Sequence, residues 1–91
     1  MVSGYTGERR ARLEALAALL PAHGLVSRTV GGDDPVLWVW HPRTSRQTLV
    51  FATPANDGWR FLWSPRGQGT ADDLEGTCAA LRRTLDAPSV E

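Results

Sequence analysis

Between Val36 and Ser64, three short and largely apolar runs stand out: Val36 to His41, Thr48 to Thr53 and Trp59 to Trp63. Short apolar runs bounded by turn signals read as β-strands, whose successive side chains point to opposite faces. The runs are separated by turn-forming clusters at 42–46 and 54–58, so they predict consecutive antiparallel strands. All four tryptophans and both phenylalanines fall in this stretch. A shorter strand of mixed polarity is expected at 25–30, ahead of the turn signal at 31–35.

Helical spacing flanks the strands on both sides. Leu13, Leu16, Ala17 and Leu20 share one face, with Arg9, Arg10, Arg12 and Glu14 mainly elsewhere. This predicts a helix over 8–22, capped by Thr6 or Ser3, ended or kinked by Pro21 and stopped at Gly24. Leu74, Cys78, Leu81 and Leu85 form a second stripe. Thr70 with Asp73 resembles a capping box at its start, and Pro88 closes it. Gly76 weakens this helix by ~1 kcal/mol relative to alanine.

The order α-β-β-β-β-α predicts an α+β fold: a two-layer sandwich of a four-stranded antiparallel meander with two helices on one face. Residues 1–91 are expected to form a single domain, with a core over about 8–86 and loose termini. Alternation divides the sheet in two. The bulkier side, with Trp38, Trp40, Phe51, Trp59, Phe61 and Trp63, is expected under the helices. The opposite side carries Leu37, Val39, Val50, Ala52 and Leu62, beside Thr48, His41 and Arg60. It is too apolar for a solvated face. Leu37, Val39, Val50, Ala52, Leu62 and Arg60 are therefore the candidate interface, for a second copy or for a protein partner.

Composition narrows this reading. The formal net charge is zero, so nothing global attracts a phosphate backbone. All ten basic residues are arginine, with no lysine and no isoleucine, a usage that points to a high-GC bacterial source. Charge is nonetheless segregated: residues 36–69 hold four arginines and one acid, and residues 70–91 hold two arginines and five acids. An acidic helix beside an arginine-bearing sheet can steer association. Cys78 is the single cysteine, which excludes an internal disulfide and suits a reducing cytoplasm. No apolar run reaches the length of a signal peptide or a membrane span.

The element order resembles in outline that of the double-stranded-RNA-binding domain, which has three strands between its helices. It is also similar to half of a type III secretion chaperone-like fold. Neither resemblance is carried by a motif, so neither assigns a residue a role.

Candidate chemistry is sparse. His41, Arg43 and Arg46, with Arg66 from the next loop, form a possible anion-binding set; an ordinary solvated hairpin turn has the same composition. Residues 64–70 superficially look like a phosphate cradle but lack the Gly-Lys-Ser/Thr ending of a P-loop. The tryptophans could form a stacking platform, although aromatic residues more often supply the core of a small domain. His23, His41, Asp33 and Asp34 lack metal-ligand spacing, and Cys78 sits on an apolar stripe. No catalytic residue, metal or cofactor is expected. The sequence therefore predicts a cytoplasmic, non-enzymatic protein-interaction or regulatory module acting as a homodimer or on a protein partner. The alternative is a small-ligand or nucleic-acid binder using tryptophan and arginine.

Overall fold

Leu13, Leu16 and Leu20 are fully buried, as their helical spacing demands. In the computed structural model, which describes residues 4–56, 58–64 and 67–86, they lie on α1 (Gly4–Leu19) and a following 3-10 turn (Leu20–His23). Thr6 lies within α1 and so does not cap it; Ser3 is outside the described residues. Pro21 opens the 3-10 turn. Gly24, at φ 78°, ends it and donates its N–H back to the Leu20 and Pro21 carbonyls.

Five strands follow: β1 (Val26–Val30), β2 (Val36–Trp40), β3 (Gln47–Ala55), β4 (Gly58–Trp63) and β5 (Gly67–Thr70). They form one antiparallel sheet in sequence order. The α+β class and antiparallel meander stand, but the described residues form five strands and not four. The extra strand is part of the segment expected to be a loop, and it pairs Gly67 with Trp63 and Gly69 with Phe61.

α2 (Leu74–Asp86) packs on β5 at unusually close range, and the glycines of that strand are the reason. A Cβ on Gly67 would run into the Trp63 ring, and one on Gly69 into the Thr77 side chain. Alternate glycines thus clear the inner side of β5 for Trp63 and α2. The cap of α2 is Asp73 and not Thr70: Asp73 Oδ1 accepts the Gly76 N–H at 2.9 Å, while Thr70 still belongs to the sheet.

One buried cluster joins Leu13, Leu16 and Leu20 to Cys78, Leu81 and Leu85, and to Leu37, Val39, Val50, Ala52, Phe61 and Trp63 of the strands. This overturns the expected division of the sheet. Leu37, Val39, Val50 and Ala52 were expected on a free face, yet each is at most 4% exposed. Trp38, Trp40 and Phe51, expected in the core, lie on the other side. The cause is the phase of β4. Ala55 pairs with Gly58, leaving two residues in the turn, and this register sets Ala52 opposite Phe61 and Val50 opposite Trp63. Paired residues share a face. Trp59, Phe61 and Trp63 therefore join the aliphatic side of β2 and β3.

A local detail ties α1 to the sheet. Continuing the β2–β3 register by two residues from the pair Leu37–Val50 brings Pro35 opposite Ala52. Proline has no N–H to offer. Arg9 Nε donates instead, at 3.1 Å, to the Ala52 carbonyl.

Candidate functional site: the outer sheet face

The side of the sheet turned away from the core is built by the same registers. Val26, Trp40 and Gln47 form one row across β1, β2 and β3. Arg28, Trp38 and Leu49 form the next. Val30 pairs with Val36 on one half of the sheet, and Phe51, Leu62 and Gln68 run across the other. Thr53, Arg60 and Thr70 make the last row. Phe51 is 48% exposed, Leu49 43% and Leu62 41%. Trp38 and Trp40 are half-buried against each other, with ring centroids 4.7 Å apart and planes tilted by 41°. Water thus meets a nearly continuous apolar surface, which an antiparallel sheet in a monomer normally covers with polar residues.

Polar groups sit around that centre. Trp38 Nε1 donates to Gln47 Oε1 at 2.6 Å, which fixes the indole on the surface. A shallow cleft of about 390 Å³ is lined by Val30, Trp38, Gln47, Thr48 and Leu49. A second, of about 360 Å³, lies between Trp38, Trp40, Pro42 and Ser45. The five strands contain two arginines, Arg28 and Arg60, both on this face, and no acidic residue.

Of the six expected interface residues, only Leu62 and Arg60 lie on this face. Trp38, Trp40, Leu49 and Phe51 lie here as well, because side-chain size is a poor guide to burial when both faces of a sheet are apolar. The available signal was Arg60 between Trp59 and Phe61. A charged residue pins its side of β4 outward, and a tight turn then fixes the phase of β3.

The expected anion-binding set is not gathered into one site. His41 is 2% exposed, and both its ring nitrogens are engaged. Nδ1 accepts the N–H groups of Arg43 and Thr44 at 3.1 and 3.4 Å, so the proton resides on Nε2, which donates to Asp86 Oδ1 at 2.7 Å. Thr44 Oγ1 donates to the Leu85 carbonyl at 3.0 Å. These bonds staple the 42–46 turn to the end of α2. The histidine orders a loop and has no nitrogen left to act as a base or to hold an anion. Arg43 is an exposed turn residue and Arg46 is half-buried beside it; Arg66 lies outside the described residues. Asp86 is gripped by Arg82 Nε at 2.9 and 3.0 Å, and that hydrogen bond, with the one from His41, holds its carboxyl below the usual 3.8.

Cys78 is fully buried, and burial, reinforced by the Glu75 charge, pushes its thiol up to about 11. That is the behaviour of a packing residue and not of a nucleophile. His23 Nε2 lies 2.9 Å from Glu75 Oε1. Among the described residues there is no group of three or more His, Cys, Asp or Glu placed to hold a metal. No described helix is long and apolar enough to cross a membrane. No family model matches the chain, and no curated protein or solved structure matches it either.

Proposed function

We propose that this chain is a non-enzymatic protein-interaction module of the cytoplasm that docks through its outer sheet face. In this reading the fold has two layers, with both helices over one side of the sheet so that the other stays open. The observation that carries it is the exposure of Leu49, Phe51 and Leu62 together on that side, beside Trp38 and Trp40. Grouped apolar exposure of this kind marks association surfaces, and their aromatic content is typical of interface centres. The test is Phe51→Glu, in which the new carboxylate meets water in the free protein but a partner's apolar surface in a complex. A folded variant that no longer associates supports the reading. A variant that associates as before removes it.

A second reading, binding of a planar aromatic ligand or of unpaired bases, draws on the surface-fixed Trp38–Trp40 pair and the cleft beside it. Zero net charge weakens its nucleic-acid form. Titration of intrinsic tryptophan fluorescence with nucleotides and oligonucleotides decides it: no change in Trp38→Ala-sensitive emission eliminates the platform.

A further inference from the structure

Resting on the docking reading above, we infer that the occupant of the outer sheet face is a second copy of the same face, packed sheet on sheet about a two-fold axis. A sheet face is broad and nearly flat, and its natural complement is another such face about 10 Å away. The surface has the layout of an isologous interface: Trp38, Leu49, Phe51 and Leu62 in the middle, polar residues around them.

The position of the charges fits self-packing. Arg28 lies on β1 in the row of Trp38, and Arg60 lies on β4 in the row of Thr53, so they differ in both strand and row. A two-fold axis along β3 exchanges β2 with β4 and β1 with β5 but keeps each row. Leu62 then meets the second copy's Val36, Phe51 meets Phe51, and neither arginine faces an arginine. A two-fold axis across the strands, between the Leu49 and Phe51 rows, sets Leu49 over Phe51 and Arg28 over Val30. It also leaves the arginines apart. Like-charge contact, the usual obstacle to self-packing of a one-signed face, is therefore avoided in both arrangements.

The area is sufficient for a dimer but not for a permanent one. Five strands and four side-chain rows span roughly 24 by 20 Å. With side-chain relief, two such faces bury on the order of 1,000 Å², the lower bound for a specific interface. The dimer is therefore expected to dissociate on dilution.

The test is sedimentation equilibrium of the whole chain from low to high micromolar concentration, with Phe51→Glu and Leu49→Arg beside the wild type. The expected wild-type mass moves from 9.9 kDa towards twice that value as concentration rises. Each variant should keep the wild-type circular dichroism and dimerise at least about thirtyfold more weakly, the loss expected from a central interface residue. Should a charge unfold the chain, the milder Leu62→Gln decides, and undiminished dimerisation of that variant overturns the inference. A wild type that stays at 9.9 kDa throughout overturns it too. If that monomer nevertheless binds another protein in a Phe51-dependent way, the second copy is ruled out while the docking reading stands. A dimer that both charged variants form equally well uses a different surface and overturns the inference.

Discussion

Phe51 and Leu62 face each other across β3 and β4, and both side chains are more than 40% exposed. One residue along the same ladder, Ala52 faces Phe61, and both are buried. Two adjacent cross-strand pairs thus belong to opposite environments, and a chain that hid both faces would need another layer. Two phenylalanines of similar burial by sequence criteria therefore have different energetic roles.

That contrast is measurable. Phe61→Ala empties a packed interior position and is expected to cost ~3–5 kcal/mol of stability. Phe51→Ser removes a half-exposed ring and is expected to cost less than ~1 kcal/mol in the monomer. Urea unfolding at low micromolar protein compares them directly. Equal losses at the two positions would contradict the assignment of the faces.

Val39→Glu is expected to abolish folding. Val39 is fully buried, and no cation in the cluster stands ready to pair with a carboxylate. Circular dichroism of the purified variant gives the answer, and a native spectrum with a melting temperature near the wild type would refute the placement of Val39. With side-chain bulk as the guide to burial, this position belongs to a free face, where the same change would spare the fold.

How much was legible follows from this reversal. Periodicity located the strands and both helical stripes, because Leu13, Leu16 and Leu20, and Cys78, Leu81 and Leu85, keep helical spacing. Alternation also sorted β2 and β3 into two faces with the right membership. It could not say which face was inside, since both are apolar, nor carry the phase through the turn to β4. There Ala55 and Gly58 decide, and Pro54, which pairs with Trp59, looked like part of the loop. β5 was invisible for a different reason. Two of its four residues, Gly67 and Gly69, are of the type that strands disfavour, and the strand exists because these glycines admit Trp63 and Thr77.

Gly69→Ala tests that dependence. The added methyl would overlap the Thr77 side chain, whose hydroxyl donates to the Asp73 and Thr70 carbonyls. Relief requires α2 to move away from β5, and the expected cost is ~1–3 kcal/mol. Thr77→Gly in the same chain should recover part of the loss specific to the clash, a non-additivity that a double-mutant cycle detects. Strict additivity would show that the two sites do not compete for space.

Cys78 should be silent towards thiol reagents in the native protein. Its burial and its thiol at about 11 leave almost no accessible thiolate at pH 8. A chromogenic disulfide reagent is expected to react only as fast as the chain opens, and fully in denaturant. Rapid native labelling would mean that α2 does not cover the inner face as described.

The end of α2 carries a pH-dependent contribution to stability with a definite sign. Asp86 accepts from Arg82 and from His41 Nε2, and these contacts hold its carboxyl below 3.8. A carboxyl lowered in the folded state stabilises that state above its ordinary value. The contribution is lost as pH falls through the lowered value, where folded and unfolded chains are both protonated. Asp86→Asn removes the charge but keeps the shape. The stability gap between wild type and variant should be complete near pH 6 and should narrow as pH drops below 3.8. Protonation also weakens the bond from His41, whose Nδ1 orders the Arg43 and Thr44 amides. Hydrogen exchange at those two amides should therefore rise in the variant at pH 6, and in the wild type only in acid. Thermal melts from pH 6 to 2.5, with exchange measured by NMR, separate the possibilities. A gap independent of pH would show that the staple is held by shape and not by charge, and unprotected amides in the wild type at pH 6 would show that His41 does not organise the turn.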